Sequence, residues 1–358
     1  MRGWSLGRYE KRKDNNMENF VYALGKQENL KIERFHICTW LLKKETFITE
    51  YGLEINRGAL KSLDIQIVLP ITEDITNSNF RCLFENITNT KNCRFIFNSD
   101  IERISPINGN PSFGSRIEFK NDRKITAIPL SLGDNVNYDD KHKSIHLELD
   151  LSDDQISETI YVRFYIKTSK PSFAFEVKEI TRKKIIYDVR VNECRTAPDT
   201  VINLQSRQYK TIPITKCFCF HIIPNSYNIE FVESEKLKTI RSLEQAGFSN
   251  YLGDIASKEN ITLKEHEFNI VFCKKDNLQN YSFFSVFSKE FIGDSQITLA
   301  LAANILCGLL FAAGGLHKQT SDFTIPYISR ISTEHWIALG ILIVMIVYLI
   351  AQILKSKK

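Results

Sequence analysis

The sequence lacks the features that mark several common classes of protein. Its net charge at neutral pH is only +5 over 358 residues, which is too weak a balance to indicate a nucleic-acid partner. The first sixteen residues are polar and basic and contain no apolar core, so no secretory signal peptide is predicted. We therefore expect the soluble part of the chain to fold in the cytosol.

Sequence motifs of the common catalytic and phosphate-binding sites are absent as well. The chain has no Gly-x-Ser-x-Gly elbow, no phosphate-binding loop, no His-Glu-x-x-His motif and no Gly-x-Gly-x-x-Gly loop. An active site can still assemble from distant residues, so this absence favours a non-enzymatic function without excluding catalysis. We expect no cofactor and no bound metal.

The eight cysteines do not follow the pattern of a disulfide framework. Cys307 lies in an apolar run, and the other seven are irregularly spaced and odd in number. Disulfide-rich scaffolds are typically short secreted chains with an even number of cysteines. We therefore predict reduced and mostly buried thiols.

One cysteine segment has the residue types of a metal site. Cys217, Cys219 and His221 alternate with phenylalanines, so on a strand all three point to one face. Neighbours on one strand face are about 6.5 to 7 Å apart, which is too far for two of them to share a zinc ion without a bulge. Packed thiols are the preferred interpretation.

Two long uncharged runs, residues 297–316 and 336–354, contain no Asp, Glu, Lys or Arg. Twenty helical residues span about 30 Å, the thickness of the hydrocarbon core of a bilayer. The runs therefore predict two transmembrane helices, joined by a connector at 317–335 and followed by a basic tail at 355–358. A pair of buried core helices is the alternative.

Basic residues lie mainly outside the pair of apolar runs. Lys274, Lys275 and Lys289 precede the first run and three lysines follow the second, whereas the connector holds only Lys318 and Arg330. Because loops rich in Lys and Arg stay on the cytoplasmic side, the soluble domain and the C-terminus are predicted to be cytoplasmic.

The first apolar run carries an amide near its middle and several small residues. Asn304, Gly308 and Ala312 follow one another at four-residue spacing. Small residues let membrane helices approach closely, and an amide in hydrocarbon seeks a hydrogen-bond partner. We predict helix packing or a pore through these residues, with membrane lipid and further copies of the chain as partners. Packing of the two helices within one chain is the alternative.

Residues 30–290 are predicted to form a mainly β soluble domain, after a polar N-terminal segment at 1–29. Short strands with frequent turns are typical of a β-sandwich or a barrel, here with one or two helices. A weak internal boundary falls near 196–208. The predicted strands are Leu63–Leu69, Arg94–Phe97, Arg116–Phe119, Ile145–Leu149, Ile160–Lys167, Phe173–Val177, Ile185–Val191, Cys217–Ile223 and Glu267–Cys273.

Two further segments of the domain have patterns of their own. Leu237, Ile240 and Leu243 recur at three-residue spacing between a capping Ser234 and Gly247, which predicts a helix. The phenylalanine-rich residues 281–291 fit either a short helix in the membrane interface or the last strand of the domain.

One predicted strand has a face suited to binding. Tyr161, Arg163, Tyr165 and Lys167 alternate with apolar residues and so share one side of the strand. An aromatic and basic face can stack a base and pair with phosphate, which suggests binding of a nucleotide signal or of a nucleic acid. A solvent-facing sheet surface without a ligand is the alternative.

Three functions fit these patterns. The first is a membrane-anchored cytoplasmic sensor whose two helices oligomerise and perturb the membrane on a nucleotide or protein trigger. This layout, a soluble domain followed by two membrane helices, resembles that of membrane-acting effectors in bacterial antiviral defence, and the resemblance extends to the layout alone. The second is a membrane-tethered binding module or scaffold, and the third is a membrane-bound enzyme with an unrecognised site.

Overall fold

A computed structural model gives the fold. The structure describes residues 19–42, 47–71, 73–179, 182–233, 237–242, 251, 268–290, 300–301, 303–309, 336–337, 339–344 and 347. Strands dominate this part of the chain, which confirms the prediction of a mainly β domain with few helices.

Nineteen strands are present in the described residues. They are β1 (Phe20–Gly25), β2 (Lys31–Leu41), β3 (Phe47–Asn56), β4 (Ser62–Val68), β5 (Phe80–Cys82), β6 (Ile101–Pro106), β7 (Ser115–Phe119), β8 (Lys124–Ala127), β9 (Val136–Asp139), β10 (Ser144–Asp150), β11 (Thr159–Thr168), β12 (Ala174–Lys178), β13 (Arg182–Val191), β14 (Lys210–Thr211), β15 (Ile214–Pro224), β16 (Asn228–Val232), β17 (Leu237–Ser242), β18 (Phe268–Asp276) and β19 (Tyr281–Glu290). The described residues of the domain also include the α-helices α1 (Phe84–Thr88), α2 (Thr90–Phe97) and α3 (Asp199–Ser206).

The strands form two sheets. The smaller sheet has nine strands, with β16, β19, β13, β1, β4, β10 and β9 in order, β12 beside β13 and β14 beside β1. The larger sheet has ten, with β17, β18, β15, β2, β3, β11, β8, β7 and β6 in order and β5 beside β11. Most neighbours are antiparallel, but β1 pairs in parallel with β13, β2 with β15 and β8 with β11.

The two sheets share one hydrophobic core. Val21, Ile65 and Val189 of the smaller sheet belong to the same buried cluster as Ile37 and Phe164 of the larger sheet. Two smaller clusters lie on the other face of the larger sheet, one around Trp40 and Tyr165 and one beneath α1 and α2. The middle strands of the larger sheet are therefore covered on both faces.

The chain divides into two compact units. The first comprises Met1–Phe175 with Ile185–Phe287, and the second comprises Glu176–Lys184 with Ser288–Lys358. Residues on both sides of the weak boundary at 196–208 belong to the first unit, and α3 occupies most of that segment. The buried strand β1 lies before residue 30, so sheet structure begins within the segment predicted to be polar.

The predicted membrane segments lie mostly outside the described residues. Residues 300–301 and 303–309 are helical, as are 336–337, 339–344 and 347. Their apolar side chains are largely exposed, among them Leu301, Leu309 and Val344. Within the described part of the chain, no helix has both the length and the apolar character needed to cross a membrane. The connector at 317–335 and the tail at 355–358 are not described, and the transmembrane helices stay a prediction.

Two predictions of local structure are wrong, and for a third segment the structure decides between the helix and the strand that the sequence left open. Residues 94–97 belong to α2, because the Asn89 side chain accepts hydrogen bonds from the first backbone N–H groups and caps the helix. Residues 237–242 of the helix predicted at 234–247 form β17 instead, because they pair with β18. Pairing with a neighbouring strand outweighs the helical spacing. Residues 281–290 form β19, the strand alternative.

Candidate functional site

The outer face of the larger sheet, turned away from the shared core, carries a row of buried polar groups. We call His36, Glu50, Gly52, Tyr161 and Arg163 the polar face. They lie on the adjacent strands β2, β3 and β11, and the side chains of His36, Glu50, Tyr161 and Arg163 are 93% buried or more, since their exposure is 7% or less. Burying polar groups is costly unless they pair, so their arrangement must compensate for that cost.

Strand register brings these residues together. Gly52 of β3 lies opposite His36 of β2 on one side and opposite Arg163 of β11 on the other. Glu50 is two residues along β3 and so faces the same side as Gly52. Because directly opposed side chains in a sheet are close enough to interact, pairing alone places the acid, the arginine and the histidine in one group.

Glu50 and Arg163 form a buried ion pair at the centre of the polar face. The Nε and Nη2 atoms of Arg163 donate to Oε2 of Glu50 at 3.1 and 2.5 Å. Tyr251 donates to the same oxygen at 2.6 Å, and Trp40 Nε1 donates to the other carboxylate oxygen at 2.9 Å. Burial acts to lower the pKa of Arg163, but neighbouring acidic groups hold that pKa well above its ordinary value. The arginine therefore stays charged, and Glu50 balances it.

A second chain of hydrogen bonds links Arg163 to His36. Arg163 Nη1 lies 3.0 Å from the Tyr161 hydroxyl, which lies 3.0 Å from His36 Nδ1. Since arginine only donates, Tyr161 accepts from it. Burial, and then the charges of nearby arginines, lower the pKa of His36 well below 6.5. The ring is therefore neutral and carries one hydrogen, on either of its two nitrogens.

Gly52 leaves the space that this arrangement needs. A Cβ atom at this position would lie 2.5 Å from the Tyr161 hydroxyl and 3.0 Å from Arg163 Nη1. Real Cβ atoms do not come that close to other heavy atoms. Glycine in the interior of a strand usually marks a close approach of this kind, and here the approach is made by the hydroxyl that links Arg163 to His36.

A cavity of about 100 Å³ opens beside the ion pair. Arg163, His36 and Tyr251 form its polar wall, and Thr239 of β17 adds a hydroxyl. The rest of the wall is mostly apolar and includes Cys38, Trp40, Ile96, Phe220, Ile222, Ile270 and Phe272. Ligand sites typically combine apolar walls with a few placed polar groups, and this cavity has that composition.

The sequence-predicted binding face coincides in part with this site. Tyr161, Arg163 and Tyr165 are on one side of β11 and are buried, whereas Lys167 is half-exposed. The alternative of a solvent-facing surface is therefore wrong, because α1, α2 and Tyr251 cover this side of the strand. Of the four residues only Arg163 lines the cavity, and ligand binding stays a prediction.

Sequence reasoning missed Glu50, His36 and Tyr251. Glu50 and His36 lie on strands that were not among those predicted, and Tyr251 reaches Glu50 across 201 residues of chain. The one local signal was an acid, a glycine and a second acid, Glu50, Gly52 and Glu54, at alternate positions of β3.

The segment with Cys217, Cys219 and His221 lies in the shared core. All three side chains are fully buried, and Cys219 Sγ is 3.5 Å from His221 Nε2. Burial raises the pKa of the Cys219 thiol and lowers that of His221 to about 3. Both groups are neutral, so they do not form an activated thiolate pair. Among the described residues no group of three His, Cys, Asp or Glu side chains could hold a metal ion.

The residues predicted to pack or line a pore are only partly described. Asn304 and Gly308 lie in a helical stretch of exposed residues, and Ala312 falls outside the described part of the chain. A Cβ atom at Gly308 would meet nothing within 4 Å. Asn304 and Gly308 are thus accessible in a single copy of the chain.

Comparison with known proteins adds no family. No family model matches the sequence, and no curated protein matches it. Among solved structures, the chain is similar to an M1 zinc metallopeptidase from Deinococcus radiodurans, with 9% identity and a TM-score of 0.29 over 74% of this chain and 43% of that chain.

Two further solved structures give similar values. An M1 zinc metallopeptidase mutant from Deinococcus radiodurans bound to a Tyr-Ser-Ala substrate has 7% identity and a TM-score of 0.27. A two-domain M1 zinc metallopeptidase mutant bound to L-tryptophan has 6% identity and a TM-score of 0.27. The chain spans 43 to 44% of the length of these three solved structures. At TM-scores this low, the likeness supports no inference about fold or chemistry.

Proposed function

We propose that the protein is a membrane-anchored sensor and effector. Its β-rich domain, which we assign to the sandwich class because two sheets share one core, holds a ligand in the cavity beside Arg163. Its two C-terminal apolar runs anchor the chain, associate with those of other copies and perturb the membrane. The domain and the C-terminus lie on the cytoplasmic side, and antiviral defence is the setting that the layout suggests.

The observation that carries the sensing part is the buried ion pair at the cavity wall. Replacing a buried ion pair by apolar residues often leaves stability unchanged or improves it, so stability alone gives no reason to keep Glu50 and Arg163. A charged donor group beside an apolar cavity is what a binding site requires. No catalytic group is needed for this function, and we keep a non-enzymatic role as our prediction.

The membrane part is supported by the length and composition of the apolar runs. Residues 297–316 and 336–354 are each long enough to span hydrocarbon as helices. Asn304, near the middle of the first run, has a reason to seek a partner there, because an amide in hydrocarbon gains from a hydrogen bond across helices.

The test is membrane depolarisation in cells expressing the full chain. We expect the wild type to depolarise the membrane and Asn304→Leu or Gly308→Leu to lose that activity, because both changes remove helix–helix contacts. Ile305→Leu, an apolar exchange at an exposed neighbour in the same helix, is the matched control and should behave as wild type. Equal depolarisation by wild type and both variants would rule out a direct role of this helix face.

A membrane-tethered binding module is the second candidate, and the cavity favours it equally. It needs the apolar runs only as an anchor, so it predicts no depolarisation by any of these chains. Carbonate extraction of membranes separates the two candidates from a soluble protein. Both candidates require the full chain to stay in the membrane pellet. The double variant Leu309→Lys, Val344→Lys is the control, and we expect it to be released to the supernatant because charged side chains are costly in hydrocarbon.

A further inference from the structure

We infer that the cavity beside Arg163 binds a small, flat, electrically neutral ligand that presents a hydrogen-bond acceptor, of the class of aromatic carboxamides. This inference rests on the proposed sensing function and names the chemistry of its ligand. Three features of the cavity carry it: the hydrogens that its polar wall offers, the charge balance of that wall, and the shape of its apolar walls.

The polar wall offers donors. A guanidinium group has five N–H groups, and the contacts of Arg163 with described residues use one on Nε, one on Nη1 and one on Nη2. One N–H on each terminal nitrogen is therefore left without a partner among the described residues. A ligand that satisfies this wall must accept hydrogen bonds.

The charge of the wall is already balanced. Glu50 accepts hydrogen bonds from Arg163, Tyr251 and Trp40 and neutralises the arginine. His36 is neutral, and burial raises the pKa of the Cys38 thiol, so the thiol is neutral too. An anionic ligand would place a second negative charge beside Glu50 in a site of low dielectric, and a cationic ligand would face Arg163. A carbonyl oxygen meets the donors without adding charge.

The apolar walls suit a ring. The Phe220 and Phe272 side chains, which are stacked on each other with centroids 4.5 Å apart and planes at 6°, both line the cavity. Trp40 and Ile270 line it as well. A cavity of about 100 Å³ is of the order that holds a single ring in a protein interior. Aromatic side chains such as these interact favourably with a further ring, stacked or edge to face.

Ligand-observed NMR titration of the purified full chain in lipid nanodiscs tests the inference, with benzamide as the probe. We expect benzamide to bind with a Kd of about 1 mM or tighter. Benzoate, which has the same ring but a negative charge, and cyclohexanecarboxamide, which has the same amide but no flat ring, should each bind about tenfold or more weakly. Tighter binding of benzoate than of benzamide would overturn the neutral assignment.

A pair of variants on β17 ties binding to this cavity. Thr239→Phe fills the cavity from its half-buried edge and should abolish benzamide binding, whereas Ile240→Phe changes an exposed neighbour and should leave it intact. Thermal unfolding of both variants serves to check that they are folded. No benzamide binding by the folded wild type, or equal binding by both variants, would sink the inference. Depolarisation tests the proposed function separately, so the two can fail independently.

Discussion

The two faces of the larger sheet are both buried, but the outer face adds a buried ion pair to its apolar clusters. Towards the smaller sheet, β3 and β11 present Tyr51, Leu53 and Phe164 to the shared core. On the other side the same two strands present Glu50 and Arg163, in an ion pair that is almost entirely out of water. The inner face needs only good packing, whereas the outer face needs every partner in place.

This difference shows where the protein departs from what stability requires. An apolar face gains free energy in proportion to the area it buries, and one lost contact costs only that contact. A buried polar network loses far more when one member is removed, because the remaining members keep their desolvation cost. The outer face is therefore the place where residues serve something other than packing.

Removing Arg163 should have the largest effect. Arg163→Met leaves Glu50 buried without its cation, and we expect the free energy of unfolding to fall by about 3–5 kcal/mol. The double variant Glu50→Met, Arg163→Met removes both charges and should recover most of that loss. Urea denaturation of all three chains measures this. A double variant no more stable than Arg163→Met would show that the pair is not the dominant interaction on this face.

A truncation on the inner face provides the comparison. Leu53→Ala removes buried methyl groups next to Gly52 in sequence but on the opposite side of β3. We expect a loss of about 2–5 kcal/mol, set by the cavity left behind. No second substitution on the outer face should rescue it. Rescue of Leu53→Ala by Arg163→Met in the same denaturation assay would mean that the two faces are coupled.

Filling the space above Gly52 should have a smaller effect. Gly52→Ala forces the Tyr161 hydroxyl away from its position between Arg163 and His36. We expect about 1–3 kcal/mol of destabilisation from strain and lost hydrogen bonds. Gly52→Ala combined with Tyr161→Phe, which removes the clashing oxygen, should lose less than the single change in thermal unfolding. A single change without effect would mean that the strand shifts freely.

Lowering the pH should reduce the stability of the fold through both faces of the larger sheet, because each face carries one buried histidine. The pKa of His36 on the outer face is lowered well below 6.5, and burial lowers that of His221 on the inner face to about 3. Between those values and 6.5 the unfolded chain binds protons that the folded chain does not, so stability is full above about pH 6.5 and falls as the pH drops. The slope is at most about 1.4 kcal/mol per pH unit for each histidine.

Replacing a histidine shows how much of the pH dependence of stability that residue causes. His221→Gln should flatten the pH dependence of the unfolding midpoint between pH 6.5 and 4, because glutamine does not titrate. An unchanged slope in His221→Gln would mean that the core histidine is not the titrating group.

The alternation of side chains predicted much of this fold but only half of the site. Ile160–Lys167 was identified as a strand with Tyr161 and Arg163 on one side, and the structure has that strand and that division. Alternation is typical of a half-buried strand, however, and it cannot report that another element covers the polar side. Glu50 and Tyr251 come from elsewhere in the chain, and their meeting with Arg163 is a tertiary event.

Local signals failed where tertiary contacts compete with them. The three-residue spacing of Leu237 and Ile240 indicates a helix, but β18 offers an open edge, and residues 237–242 pair with it instead. At α2 the reverse happened, since the apolar residues of 94–97 resemble a strand while the capping side chain of Asn89 starts a helix. At α2 the capping hydrogen bonds of the Asn89 side chain decided the outcome. The asparagine at this position was the signal that the sequence offered.

The parallel pairing of β2 with β15 has a consequence for how the protein is made. The paired residues of β2 and β15 are about 180 positions apart in sequence. Thr39 of β2 and His221 of β15, for example, are separated by 182 positions. At a translation rate of about 5–20 residues per second, β2 waits roughly 10–40 s on the ribosome before its partner exists. The domain can therefore close only late in synthesis, shortly before the first apolar run emerges. A nascent chain of this kind offers an unpaired strand edge to chaperones for most of its synthesis, and we expect its yield to depend on them.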